Sequence, residues 1–105
     1  MIIEYIRYRI PGHEQTDFLN SYAQASKALE ASATCIGYEL THCEEDPDRF
    51  ILRIQWTSTE DHLKKFRSSA EFQEFFPLVK PYLDNIEEMQ HYRLTDVRSH
   101  NTGTR

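Results

Sequence analysis

Glycines, runs of basic residues and long apolar runs are scarce in this 105-residue chain, and each scarcity excludes a class of protein. Its three glycines are scattered and do not form a Gly-rich phosphate-binding loop. No apolar run approaches the roughly 20 residues that cross a bilayer, so no membrane partner is predicted. The net charge of −5 leaves no basic face for phosphates, so we predict no nucleic-acid partner.

Cysteine is also scarce, with only Cys35 and Cys43 present. Both fall on one predicted strand, where an extended chain separates them by roughly 26 Å, far beyond the reach of a disulfide. Reduced thiols are typical of intracellular proteins, and the amino-terminal stretch, which carries Glu4, does not resemble a signal peptide. The sequence therefore predicts a cytoplasmic protein.

No metal site is predicted from the histidines and cysteines. They are scattered along the chain, which contains neither a Cys-x-x-Cys nor a His-x-x-x-His motif. His42 and Cys43 are neighbours, and neighbours on a strand point to opposite faces. His42, near the end of the hairpin, is expected to be exposed, and His91 is expected to be structural.

Alternating apolar and polar residues predict four β-strands. In the first strand Ile6 and Tyr8 share an apolar face, on which Glu4 is the charged exception. In the last strand strict alternation places Met89 and His91 together on the face turned away from the helices. The four predicted strands span residues 1–10, 35–44, 50–56 and 85–97.

Two helical segments are predicted between these strands. Apolar residues at helical spacing indicate an amphipathic helix over residues 14–32. Residues 57–61 have the Ser/Thr-to-acid spacing at which two side chains cap the first turn of a helix. Pro77 and Pro81 are expected to limit the segment between them to a short helical turn or coil.

The element order predicts an α+β fold of the ferredoxin-like type, with a four-stranded antiparallel sheet and both helices on one face. This domain is predicted to span residues 1–97, followed by a frayed polar tail over residues 98–105. The face without helices is too apolar to be simply wet, so a second copy of the sheet is expected to cover it in a homodimer. The alternative is a solvated sheet face. The predicted face comprises Ile3, Tyr5, Arg7, Glu39, Thr41, Ile51, Arg53, Gln55 and Met89.

The third strand has a dry face that ends at Trp56, the only tryptophan, and several phenylalanines follow it. This arrangement indicates either an ordinary core or the wall of an apolar pocket. The sequence is compatible with both interpretations.

Four stretches match a known protein family: residues 37–40, the acidic turn 45–50, Trp56–Ser58 with Glu60, and residues 63–72. In them, and over about residues 1–97, the chain resembles the antibiotic biosynthesis monooxygenase family of the dimeric α+β barrel superfamily. The resemblance implies a dimer whose sheets pair face to face. It also implies oxidation of a small aromatic or quinol-type molecule by O₂ without a cofactor.

Three positions depart from the residues that the family commonly carries. Phe66 and Glu71 stand where relatives often have histidines, and Leu52 stands where antibiotic-tailoring members have an asparagine. The haem-degrading branch uses the first of these histidines to hold iron, and phenylalanine cannot ligate a metal. The resemblance therefore implies an activity other than haem degradation.

Cofactor-free oxidation needs a dry pocket and a group that takes the substrate proton. We predict His62 and Trp56 as the catalytic residues, with either His62 or a tyrosine handling the proton. The alternatives are a surface position for His62, a plain core position for Trp56, and a non-catalytic binding or regulatory dimer that holds an apolar metabolite. The predicted pocket is lined by Tyr8, Phe18, Tyr22, Leu52, Ile54, Phe66, Phe72 and Phe76.

Overall fold

The computed structural model describes residues 1–99 and contains the predicted α+β architecture. The four strands form one antiparallel sheet in the order β2-β3-β1-β4, which confirms the ferredoxin-like fold class. The predicted tail falls outside the described residues from position 100 onward. The main elements are β1 (Ile2–Arg9), α1 (Gln15–Ala31), β2 (Cys35–His42), β3 (Arg49–Trp56), α2 (Ala70–Val79) and β4 (Ile86–Arg93).

The core lies between the helices and one face of the sheet. On β3, Phe50, Leu52, Ile54 and Trp56 all point to this face and are each at most 1% exposed, as their alternation predicts. α1 covers them with a stripe that includes Phe18, which is fully buried. Burial of these large side chains supplies most of the favourable free energy of folding.

A β-bulge in β4 reverses the predicted facing of its central residues. β1 pairs with β4 through Arg7 and Glu88 and then through Tyr8 and Ile86, so Glu87 is left without a partner in the register. One extra residue turns every later side chain to the other face. Met89 and His91 therefore face the helices, and their predicted place on the open face was wrong.

Between β3 and α2 the chain forms a π-helical turn, Asp61–Phe66. The hydroxyl of Ser58 accepts a hydrogen bond from the backbone N–H of Asp61 at 2.9 Å, as the predicted cap requires. The backbone N–H of Arg67 then donates to the carbonyl of His62, five residues earlier. Such widened turns are frequent at functional sites, and here the turn directs His62 toward the sheet.

Pro77 does not end the helical segment as expected, because it lies inside α2. Proline removes one backbone donor, but the buried Phe75 and Val79 on either side anchor the helix against the core. A 3₁₀ segment, Lys80–Asn85, then leads into β4. The helix therefore extends one turn further over the sheet than the sequence predicts.

The face opposite the helices carries a mixture of half-buried apolar and charged side chains. Arg53 pairs with Glu39 at 3.3 Å, and Arg7 approaches Glu88 at 3.9 Å, so both arginines have acidic partners within the chain. Elsewhere, Cys35 and Cys43 are free thiols, as predicted. Of the helices over residues 1–99, none is long and apolar enough to span a membrane.

Candidate active site

A cavity of about 200 Å³ lies beneath Trp56, between the sheet and the helical segments that follow β3. Its walls are mostly apolar and aromatic, with a small group of polar side chains on one side. This composition is typical of sites that bind small organic molecules. The lining residues are Glu4, Ile6, Tyr8, Tyr22, Ile54, Trp56, His62, Phe66, Arg67, Phe72, Phe75, Phe76, Val79, Leu83, Ile86 and Met89.

Most of the predicted site residues line this cavity, and two do not. Phe18 lies in the aromatic core at the other end of the sheet, with its ring 5.1 Å from Phe50. Leu52 faces a separate groove that Tyr38 and Leu40 also line. The predicted residues in the cavity wall are Tyr8, Tyr22, Ile54, Trp56, His62, Phe66, Phe72 and Phe76.

Glu4 is the polar residue that the sequence analysis did not select. It is 1% exposed and accepts a hydrogen bond from the indole Nε1–H of Trp56 at 3.0 Å. Its second oxygen, Oε2, has no hydrogen-bond partner within residues 1–99. Burial raises the pKa of Glu4 to about 7, against the opposing effects of the Trp56 N–H and the positive charge of Arg67. The only sign of its role in the sequence is that Glu4 is a charged residue on an otherwise apolar strand face.

His62 is buried beside this carboxylate rather than exposed on the helix edge. Its ring stacks on Trp56 with a centroid distance of 4.4 Å and an interplanar angle of 11°. The Nε2 atom lies 3.6 Å from Glu4 Oε1. Burial, together with the nearby His91 and Arg67, lowers the pKa of His62 to about 3, so the imidazole is neutral near pH 7.

His91 completes the polar group from the neighbouring strand. It is the residue of β4 that pairs directly with Glu4 of β1. Its Nε2 atom lies 2.7 Å from His62 Nδ1 and 3.9 Å from Glu4 Oε2. Burial lowers the pKa of His91, with a further contribution from Arg67. The fold therefore brings together two histidines that are 29 residues apart in the chain.

The sequence model of the antibiotic biosynthesis monooxygenase family matches residues 1–78. The chain belongs to this family. It is 28% identical over 82 residues to the uncharacterized protein YczJ of Bacillus subtilis, which covers 78% of this chain and 85% of YczJ.

Solved structures show the same family fold. A Bordetella bronchiseptica protein proposed to be an antibiotic biosynthesis monooxygenase superposes with a TM-score of 0.73 at 28% identity, covering 90% of this chain and 96% of that one. A Bacteroides thetaiotaomicron protein suggested to be an oxidoreductase superposes with a TM-score of 0.71 at 15% identity, covering 87% and 94%. At that lower identity the likeness concerns the fold alone.

The three departures from the family's common residues have different structural positions in this antibiotic biosynthesis monooxygenase family member. Phe66 is buried in the cavity wall, with its ring centroid 4.9 Å from that of Trp56. Leu52 is buried outside the cavity, and Glu71 is half-buried in the first turn of α2. Of these three residues, Phe66 alone lines the cavity, to which it contributes an apolar ring.

Two tyrosines form a second polar element in the wall. The hydroxyls of Tyr8 and Tyr22 hydrogen-bond to each other, and both side chains are buried. Burial raises the pKa of Tyr8 to about 12, so it remains protonated at physiological pH. One of the two hydroxyls donates to the other, so the accepting hydroxyl keeps an O–H that can donate to an oxygen atom of a ligand.

Proposed function

We propose that this protein is a cofactor-independent monooxygenase that oxidises a small phenol or quinol with O₂. The observation that carries the proposal is the buried carboxylate of Glu4 in the wall of the apolar cavity beneath Trp56. A cavity closed only by phenylalanines would have favoured a non-catalytic binding protein. A carboxylate costs stability when it is buried without a cation, so a functional role is its simplest explanation.

The size of the cavity favours a single aromatic ring. Its volume is about 200 Å³, and an apolar protein cavity of about 150 Å³ is known to bind benzene. The additional space accommodates one or two hydroxyl groups on the ring. Rings of Phe66 and Phe72 in the wall offer edge and face contacts to such a guest.

The chemistry needs no external reductant, because the substrate supplies all the electrons. A phenol with a free para C–H reacts with O₂ to give a quinone and water, so one oxygen atom enters the product and the other leaves as water. Removal of the hydroxyl proton comes first, since the phenolate passes an electron to O₂ more readily than the phenol does. Glu4 is placed to take this proton inside the cavity.

Trp56 and His62 hold this carboxylate in position. The indole N–H of Trp56 fixes Oε1 of Glu4, and the stacked imidazole of His62 lies beside the same oxygen. No donor among residues 1–99 hydrogen-bonds to Oε2, which is therefore the oxygen that accepts the substrate proton. The surrounding apolar walls exclude water, which would otherwise solvate the phenolate and trap reactive oxygen species.

Oxygen uptake by the chelator-treated protein tests the proposal. With a panel of single-ring phenols and quinols, we expect uptake of one O₂ per substrate that exceeds the rate with heat-denatured protein. Quinone formation is followed by absorbance in the same samples. Binding of panel members without any oxygen uptake would overturn the proposal and would support the non-catalytic alternative.

We further propose that the protein is a homodimer that pairs through the open face of the sheet. Its family belongs to a superfamily of such dimers, and the face presents Tyr5 packed on the exposed Tyr92 at a ring distance of 5.4 Å. Ile51 lies on the same face at the register position opposite Arg7. A second sheet would remove these apolar side chains from water.

Light scattering tests the dimer. We expect wild type to have about twice the 12.5 kDa mass of the chain. Ile51→Glu places a charge in the middle of the face and is expected to give the mass of one chain with an unchanged circular dichroism spectrum. Leu19→Glu is the matched control, since Leu19 is an exposed apolar residue on α1. A single-chain mass for wild type would contradict the proposal.

A further inference from the structure

Glu4, His62 and His91 form a cluster of metal-ligating side chains from three different elements. One ligand atom from each lies within 4.8 Å of the other two. His62 Nε2 lies 3.6 Å from Oε1 of Glu4, and His91 Nε2 lies 3.9 Å from Oε2 of the same carboxylate. Ligands bound to one transition-metal ion at about 2.0–2.2 Å are about 3–4 Å apart, so the cluster has the spacing of a metal site.

The free oxygen of Glu4 provides a second observation that points to a cation. Oε2 is buried without a hydrogen-bond partner among residues 1–99, and it is the oxygen nearer to His91. Arg67, the cation whose charge acts on this group, has an exposed side chain. A bound cation would give the buried carboxylate the positive partner that it lacks.

The side chains of the cluster are oriented by neighbouring groups, as metal ligands usually are. Trp56 donates to Oε1 of Glu4 and stacks on His62, so one side chain orients two of the three ligands. Such outer hydrogen bonds fix the direction of metal ligands and strengthen binding. The ring of His91 is hydrogen-bonded to His62 and partly exposed, so it can turn its Nε2 from that imidazole to an ion.

We propose that Glu4, His62 and His91 bind one divalent transition-metal ion at the wall of the aromatic cavity. Two imidazoles and one carboxylate leave coordination positions open, as in sites that bind Fe²⁺ or Zn²⁺ with exchangeable ligands. Imidazole ligands disfavour Mg²⁺ and Ca²⁺, which prefer oxygen. Glu4 and His62 both line the cavity, so an ion that they hold would lie at its wall.

This inference does not depend on the proposed oxidation. A carboxylate that holds a metal ion cannot also accept a substrate proton, so the oxidation is proposed for the metal-free protein and metal binding describes a second form of the same site. The oxygen-uptake assays use chelator-treated protein for this reason. Failure of oxidation and failure of metal binding are then separate results.

Titration of the tag-free, chelator-treated protein with Co²⁺ tests the site. We expect one ion per chain, measured by calorimetry, and a visible absorption band from low-symmetry cobalt. Glu4→Gln and His91→Gln are each expected to weaken binding at least 100-fold and to remove the band. His13→Gln is the matched control, because His13 is exposed in the turn before α1.

Thermal unfolding keeps the test decisive if a variant is less stable. Co²⁺ is expected to raise the unfolding temperature of wild type and of His13→Gln, since an ion that binds only the folded state stabilises it. Addition of Co²⁺ is expected to leave the unfolding temperature of Glu4→Gln unchanged. Absence of the band in wild type, or an equal affinity in Glu4→Gln, would overturn the proposal.

Discussion

Glu4→Gln is expected to lower the rate of O₂ uptake about 100-fold or more, the usual contribution of a positioned proton acceptor. Glutamine has nearly the same shape as glutamate and retains an oxygen that accepts from the indole N–H of Trp56. It cannot take a proton from a phenol. The rate is measured with an oxygen electrode at saturating substrate, and the affinity for the ligand by calorimetry.

Two controls separate loss of chemistry from loss of structure. Glu60→Gln removes a carboxylate that is 72% exposed outside the cavity, and its uptake rate is expected to match wild type. Glu4→Gln is expected to be more stable than wild type at pH 8, because it removes a buried charge. Undiminished oxygen uptake in Glu4→Gln would show that another group accepts the proton.

Most of the fold follows from local patterns. Alternation in β1 and β3 and the apolar stripe of α1 each specify one face, and packing the helix on the sheet buries all three faces together. The bounds of β2 and β3 differ from the prediction by at most two residues. Such patterns are strong because the burial of a whole strand face depends on them.

The position of His91 could not be predicted, because it depends on the bulge at Glu87. A strand without a bulge would have placed His91 on the open face, away from Glu4. The bulge becomes visible only when the pairing of β4 with β1 is known. One residue of register therefore decides whether the polar cluster exists.

The sequence predicts the aromatic wall of the cavity but not the polar side chains that lie together in it. Trp56, Phe66 and Phe72 follow from the dry strand and the helical segment beyond it. Glu4 was recorded only as an exception to an apolar face, since a lone charge on a strand does not reveal its neighbours. Phe18 was assigned to the pocket because its helical stripe faces the core, and the stripe does not show which end of the core is hollow.

Trp56→Phe is expected to cost about 2–4 kcal/mol of unfolding free energy at pH 8 in chelator-treated protein. A hydrogen bond to a charged group contributes about 1.5–3 kcal/mol, and the smaller ring leaves part of the indole space unfilled. Without the indole N–H, neither oxygen of the ionised Glu4 would have a hydrogen-bond donor among residues 1–99. Urea unfolding followed by circular dichroism measures the cost.

The cost of Trp56→Phe is also expected to depend on pH and on Glu4. The pKa of Glu4 is raised to about 7 from its ordinary value of 4.5, so the carboxylate is ionised at pH 8 and largely protonated at pH 5. The indole N–H stabilises the ionised form, so its contribution is present above pH 7 and declines as the pH falls through 7. Trp56→Phe should therefore lower the free energy of unfolding by less at pH 5 than at pH 8.

A double-mutant cycle with Glu4→Gln isolates this interaction. Loss of stacking on His62 and loss of ring volume occur in both backgrounds and cancel, so the remaining difference reports the bond between Trp56 and the charged Glu4. In the Glu4→Gln background, Trp56→Phe should show the same cost at pH 5 and at pH 8. An equal cost at both pH values in the wild-type background would mean that Glu4 does not change its ionisation between them. The buried carboxylate would then lack the raised pKa that allows it to hold and release a substrate proton near neutral pH.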